Sequence, residues 1–218
     1  MDSRHIIFFS IGNPGPITRH SVGHLMLKHI LSFIPYTPGL IKKSIYSISS
    51  TDSITYLKSN SYMNESFKSW NKFKIDNKRL INAGPIIFII YDDFEKNLGN
   101  IRISKFKKNE SHNGLKGLKN VLNNDNNNNN NNSNNDNIDV YLLGIGIGPK
   151  PQGANKETMS NWILSGFKME EKMKLENETV ELLELYIREI IELDGNIGDV
   201  NKFNSRLTKT WKSKQIDS

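Results

Sequence analysis

Five histidines are spread along the chain, and two of them stand where an imidazole could act as a base. His20 and His112 each lie at the start of an expected element, beside polar neighbours. An imidazole held there by a rigid scaffold titrates near neutrality and can take a proton from water. The plain alternative is a polar residue at a helix start, with no chemical task. His20 and His24 are four apart, the spacing of a zinc pair on one helix face. Yet His20-Ser21-Val22-Gly23-His24 lacks the intervening Glu of a metalloprotease helix and has no acidic third ligand nearby, so no metal site is expected. His24 and His29 read as helix-surface residues, and His5 precedes a strand. Tyr91-Asp92-Asp93 directly follows an apolar run. Carboxylates at the C-terminal end of a buried strand project into the crevice where α/β proteins hold ligands, although capping or solvation would also put them there. Gly144-Ile145-Gly146-Ile147-Gly148 has the look of a nucleotide loop, but it lies inside an apolar strand and Pro149 follows where a helix should begin. No G-x-S-x-G elbow or P-loop is present, and the absence of Cys excludes a thiolate nucleophile, a disulfide framework and Cys-ligated zinc. What remains is a His, an Asp and several loop Asn side chains. That set suits hydrolysis by an activated water, with amides rather than metals positioning the substrate.

These residues need elements to hold them. Ile6-Ile7-Phe8-Phe9, closed by Gly12-Asn13-Pro14-Gly15, predicts a buried first strand and a loop. Val22, Leu25, Met26, Ile30 and Phe33 form a helical stripe over residues 22–33. Strands are expected near residues 44–48 and 54–58, then a helix beyond Asn64 with Phe67 and Trp70 on its apolar face. Pro85 to Ile90 is apolar on both faces, the pattern of a central strand covered on each side. Ile101-Arg102-Ile103 alternates as a half-exposed strand does. A helix over about residues 113–122, a strand over 140–147 and a long amphipathic helix over about 169–193 complete the pattern. The expected fold is α/β: a single three-layer domain over residues 1–218, with a mixed central sheet flanked by helices. Residues 123–137 are nearly all Asn and can bury nothing, so they are expected to form a disordered surface insertion.

A length of 218 residues suits one core. The net charge of +6 makes a phosphate-bearing partner plausible, solubility alone being the other reading. No apolar run approaches the roughly 20 residues of a membrane span, so no membrane partner is expected. The first residues have neither a secretory apolar region nor an Arg/Ser-rich transit helix. A cytoplasmic location is the default, with a mitochondrial one as the alternative, because the Asn tract hints at a eukaryote with a biased genome.

Several motifs, in order, resemble the bacterial-type peptidyl-tRNA hydrolase family. Asn13-Pro14-Gly15 followed by Thr18-Arg19-His20 is similar to its N-P-G and T-R-H-N elements, and Tyr62-Met63-Asn64 after Lys58 to its M-N element. Tyr91-Asp92-Asp93-Phe94-Glu95, His112-Asn113-Gly114-Leu115-Lys116, the Gly144–Gly148 run, Ser165-Gly166-Phe167 and Val200-Asn201-Lys202-Phe203-Asn204 resemble its later motifs. The resemblance covers about residues 6–205. It implies that His20 is the general base and that Asp92 fixes its tautomer and stabilises the imidazolium that forms. It implies that Asn13, Tyr62, Asn64, His112 and Asn113 hold the peptide backbone and the tRNA 3′ end, an amide being suited to this because it both donates and accepts. Peptidyl-tRNA is the implied substrate, with no cofactor or metal and a monomeric enzyme. Lys105, Lys107 and Lys108, lying between Asp92 and His112, are expected to add charge for the tRNA. A second reading is an RNA-binding relative that has lost turnover.

Overall fold

The computed structural model describes residues 4–129 and 138–216. Its centre is a seven-stranded mixed sheet in the order β2-β3-β4-β1-β5-β7-β6. The strands are β1 (Ile6–Ser10), β2 (Ile41–Lys42), β3 (Tyr46–Ser50), β4 (Ile54–Ser59), β5 (Ile86–Asn97), β6 (Ile101–Ser104) and β7 (Asp139–Gly148). β1 pairs in parallel with β4 and β5, and β5 in parallel with β7, while β3 and β6 run antiparallel to their neighbours. Full burial on both faces explains why β1 and the first half of β5 are unbroken runs of Ile and Phe.

One face carries Ile6, Phe8, Phe88 and Ile90 under helices α1 (Val22–Phe33) and α7 (Val180–Glu192). The other carries Ile7, Phe9, Ile87 and Ile89 under α2 (Ser66–Asp76) and α4 (Asn113–Asn129). This is the three-layer α/β architecture that the pattern predicts. Short α3 (Lys78–Asn82) follows α2. The amphipathic stretch expected over 169–193 forms as α6 (Met169–Lys174), one wider π-type turn at Leu175–Thr179, and α7. No helix among the described residues is long and apolar enough to cross a membrane.

Several elements depart from expectation, the short β2 and α3 among them. β5 does not stop at Ile90: it continues through Asp92 to Asn97, with an irregularity in its pairing to β7 between Asp93 and Asn97. α4 runs on to Asn129, seven residues into the tract expected to be a disordered insertion, and residues 130–137 of that tract lie outside the described residues. Helices α5 (Lys156–Leu164) and α8 (Val200–Ile216) were not in the expected order. α5 is started by Asn155, whose side chain accepts from the Thr158 N–H, and buries no residue fully. Its apolar stripe is therefore weak. α8 is started by Asp199, which accepts from the Lys202 N–H, and buries Phe203 and Leu207.

Asn204 of α8 lies against the open edge of β6. Its amide accepts from the Ile103 N–H at 2.9 Å and donates to the Ile103 carbonyl at 2.8 Å. One side chain thus satisfies both groups that a neighbouring strand would have bonded.

Candidate active site

β1 ends at Ser10, opposite Ile90, so two residues further along β5 no strand lies on that side. The chain after β1 crosses the gap, tied down by Ile11 N–H to the Ile90 carbonyl at 3.0 Å. Asp92 stands at this opening, fully buried. α1 approaches closely because Gly23 has no side chain: a Cβ there would lie 2.6 Å from the carbonyl oxygens of both Ile11 and Ile90. That contact brings the residues just before α1 over the end of β5.

Asp92 holds two histidines, one on each oxygen. His20 Nδ1 lies 2.9 Å from Oδ2, and His112 Nε2 lies 3.1 Å from Oδ1. The His20 side chain is 14% exposed and that of His112 4%. Burial alone would raise the Asp92 pKa, but the charges and hydrogen bonds of the two imidazoles hold it below the usual carboxylate range. For His112, burial opposes the cation, yet Asp92, with Glu110 and Asp93 beyond it, holds its pKa above that of an ordinary histidine. Phe94 stacks on the His112 ring and Tyr91 meets it edge-on. With Nδ1–H donated to the carboxylate, His20 carries its lone pair on Nε2, the tautomer a base needs. Ligand atoms of His20, Asp92 and His112 all lie within 4.8 Å of one another, a set that could also hold a metal ion.

His20 is fixed from behind by Arg19, which is buried. Its Nη2 reaches both carboxylate oxygens of Glu171, at 2.8 and 2.9 Å, and the guanidinium lies about 5 Å from the ring centres of Trp162 and Phe167. Nε and Nη1 have no hydrogen-bond acceptor among the described residues, and the guanidinium rests against those rings. The backbone joins in: Arg19 N–H donates to the Ser165 carbonyl at 3.1 Å, and Thr18 N–H to Ser21 Oγ at 2.7 Å. Neither Trp162 nor Glu171 stood out in the sequence, because their partner lies about 150 residues away.

The three Asn residues sit on neighbouring segments. Asn13 N–H donates to the His20 carbonyl, and Asn13 Oδ1 accepts from Met63 N–H at 2.9 Å, which leaves its amide N–H groups for another partner. Gly114 lets α4 pack on the turn at Met63–Glu65, since a Cβ would meet Met63 Sδ at 2.8 Å. Asn64 and Asn113, both exposed, are therefore carried on two touching segments, with exposed Tyr62 beside them. His112, expected to touch substrate, instead has its ring on Asp92 and its Nδ1 near the Leu115 N–H at 3.4 Å.

The three lysines do not form one cluster. Lys105 folds its ammonium over the Tyr141 ring, 3.5 Å from the centre. Tyr141 pairs with Phe88, four positions before Asp92, which is about 13 Å down the strand, so Lys105 is not beside the pair. Lys107 returns to β5 and pairs with Glu95 at 2.8 Å, and Lys108 is exposed. His24, expected on a helix surface, is buried and bonds to Ser10 Oγ at 3.0 Å. Burial, aided by Lys58, pushes its pKa down to about 3.

The glycine run in β7 has a packing cause. Ile145 and Ile147 face the core, whereas Gly144, Gly146 and Gly148 face the returning end of β5. A Cβ at Gly146 would collide with the Asn97 carbonyl, and one at Gly144 would lie 3.1 Å from the Tyr91 hydroxyl. Bare backbone here lets the end of β5, beyond Asp92, curl across β7.

Comparison with known proteins identifies the family. The family profile described as peptidyl-tRNA hydrolase matches residues 7–212. A peptidyl-tRNA hydrolase of Thermotoga petrophila is 28% identical over 204 residues, covering 92% of this chain and 97% of that protein. A probable peptidyl-tRNA hydrolase of Schizosaccharomyces pombe is 25% identical, covering 79% and 76%. Among solved structures, the peptidyl-tRNA hydrolase of Acinetobacter baumannii superposes with a TM-score of 0.63 at 20% identity, covering 94% of this chain and 96% of that one. A peptidyl-tRNA hydrolase in complex with N-propanol gives 0.67, with 94% and 95% covered. Those structures share the fold, and the profile match over nearly the whole length decides the membership: this chain belongs to the peptidyl-tRNA hydrolase family.

Proposed function

We infer that the protein hydrolyses the ester between the peptide and the terminal ribose of peptidyl-tRNA, releasing tRNA for reuse in translation. The observation that carries this reading is the His20–Asp92 pair, 2.9 Å apart with the carboxylate wholly buried, on the fold and in the family where that reaction is at home. His20 Nε2 takes a proton from water as the oxygen attacks the ester carbonyl. The ribose oxygen leaves with a proton returned from the imidazolium. Asp92 keeps the ring oriented and offsets its transient charge.

His112 acts through Asp92: a second N–H on the far oxygen keeps the carboxylate ionised and immobile. Asn13, Asn64 and Asn113, with Tyr62, meet the peptide and the CCA end around the opening. Lys107 and Lys108 add charge at its rim. The reaction needs no metal or cofactor, because each Asp92 oxygen already receives an imidazole N–H and the base is the ring nitrogen left over. Turnover unchanged by a strong chelator is the expected result; loss on chelation, restored by zinc, would sink this part.

The enzyme acts as a monomer, a reading supported by the way Asn204 closes the β6 edge. Similarity to bacterial proteins supports work in general translation, in the cytoplasm or in a mitochondrion of bacterial descent, which fractionation of the source cell would separate.

The test is release of a labelled N-blocked aminoacyl group from tRNA. The wild-type chain should release it, and His20→Ala should lower kcat by about two to four orders of magnitude while tRNA affinity holds. Turnover by His20→Ala above about a tenth of wild type would remove His20 as the base. Tight tRNA binding without release by the wild type would favour the binding-only relative.

A further inference from the structure

His20 and His24 are spaced as a zinc pair would be, but the fold does not use them so: His24 turns inward to Ser10 Oγ at 3.0 Å. A different set meets instead. Nδ1 of His20, Nε2 of His112 and a carboxylate oxygen of Asp92 come from three segments and all lie within 4.8 Å of one another. Two imidazole nitrogens and one carboxylate oxygen are the donors of an open zinc site, in which a water takes the fourth position. With bonds of ~2.1 Å, a tetrahedral ion sets its ligands ~3.4 Å apart. The nitrogens stand 2.9 and 3.1 Å from the two Asp92 oxygens, so the set closes on an ion with small ring movements. His20, 14% exposed, is the ring with room to turn.

The surrounding charges favour a dication. Glu110 and Asp93 stabilise positive charge on His112, and they act on an ion at its Nε2 in the same sense. Arg19 is balanced by Glu171 at 2.8 Å, and Lys107 by Glu95 at 2.8 Å. Magnesium is a poor fit, since it takes oxygen ligands in an octahedral array and keeps its waters. Nitrogen donors select a first-row transition ion. An ion here silences the base by a change of tautomer. The resting His20 ring has its proton on Nδ1, toward Asp92, and its lone pair on Nε2. An ion bonded to Nδ1 uses the electron pair of that nitrogen, so the ring's one proton moves to Nε2. At His112 the Nε2 proton passes likewise to Nδ1, whose contact with the Leu115 N–H, at 3.4 Å, is long and weak. For two neutral rings no proton is gained or lost, and His20 has no basic nitrogen left.

We propose that His20, Asp92 and His112 form an inhibitory site for one transition-metal dication, zinc above all, and that the bound ion holds the enzyme off. The ion is a regulator and not a cofactor, because the metal-free chain keeps its base. Inhibition rests on the hydrolase reading; the binding itself does not.

The experiment starts from the full chain stripped of metal, with the chelator then removed. Cobalt(II), whose visible absorption strengthens in a four- or five-coordinate site, should bind at one ion per chain and be displaced by zinc. At saturation, zinc should lower release of the labelled N-blocked aminoacyl group from tRNA by at least about a hundredfold, while affinity for deacylated tRNA holds. A chelator should restore release, and magnesium should not inhibit. His112→Gln, slower from the outset, should bind cobalt at least about tenfold more weakly and need correspondingly more zinc. His24→Asn should respond to zinc as the wild type does. Should His112→Gln not fold, the wild type supplies a second measurement: zinc should shield His20, and not half-buried His29, from acylation by diethyl pyrocarbonate. The cobalt band and the shielding need no turnover, so failure of the hydrolase reading shows separately, as a metal-free chain that releases nothing. No cobalt band and no shielding of His20 would overturn the proposal. So would turnover that persists with the ion bound, or equal zinc inhibition in the wild type and His112→Gln.

Discussion

Asp92 is fully buried with one imidazole on each oxygen, so its two oxygens define what each neighbour can do. Replacing it with Asn keeps the size but presents an N–H where His20 needs an acceptor, and favours the wrong tautomer. We predict a fall in kcat of about three to four orders of magnitude with KM within about threefold. Single-turnover release is the measurement, and a loss under tenfold would deny Asp92 its role. Removing His112 is a different experiment. A hydrogen bond to a charged group contributes about 1.5 to 3 kcal/mol, so His112→Ala should lower kcat by about ten- to a hundredfold while KM stays put. If KM rises instead and kcat holds, His112 touches the substrate, as the motif alone suggested. At this scale residue type and position left His20 and Asp92 with plain alternatives, and it was the ordered motifs that singled them out. The sequence was silent on the second histidine's direction. Nothing in His112-Asn113-Gly114 says that one ring turns inward and the neighbouring amide outward; burial by Tyr91 and Phe94 decides that.

The elements that place these side chains are legible where apolar periodicity is strong and obscure where close backbone contact takes its place. α1 was readable to the residue from its stripe. The extension of β5 was not, since Asp92-Asp93-Phe94-Glu95-Lys96-Asn97 is polar and reads as loop. Its strand character comes from bare glycines across the gap on β7, a cause held in another segment. α8 could have been found from Asp199 and the spacing of Val200, Phe203, Leu207 and Trp211, had the closing motif not been read as a signature alone. The glycine contact is testable. In Gly146→Ala the new methyl meets the Asn97 carbonyl, which has no flexible end to swing away. Overpacking of this kind costs about 3 kcal/mol, a drop of roughly 10 °C in Tm for a chain of this size. Because the displaced strand carries Asp92, kcat should fall too. A Tm within about 2 °C of wild type would show that β5 can lift away freely.

For the molecule as a whole, pH sets how much of this order survives. His24 has a folded pKa of about 3, below its unfolded value of about 6.5. Between those values the unfolded chain binds a proton that the folded chain refuses, so stability from this residue is complete above about 6.5 and is lost as pH falls. His112 works in the opposite sense. Its raised pKa contributes most below about 6.5 and fades as pH rises through the folded value. Asp92, with its lowered pKa, contributes above about 4 and weakens as pH falls below that. The unfolding free energy lost between pH 7 and about pH 4.5 should therefore be larger in the wild type than in His24→Asn, by on the order of 2 to 3 kcal/mol. Parallel curves for the two proteins would mean that His24 is not the group responsible. The Arg19 anchor has a different consequence, one of timing. Its partners Trp162, Ser165, Phe167 and Glu171 all lie in the last third of the chain. During synthesis, His20 emerges early but has nothing to lean on until residue 171 has left the ribosome. A protein that frees tRNA from unfinished peptides thus acquires its own firm catalytic base only when it is itself nearly finished.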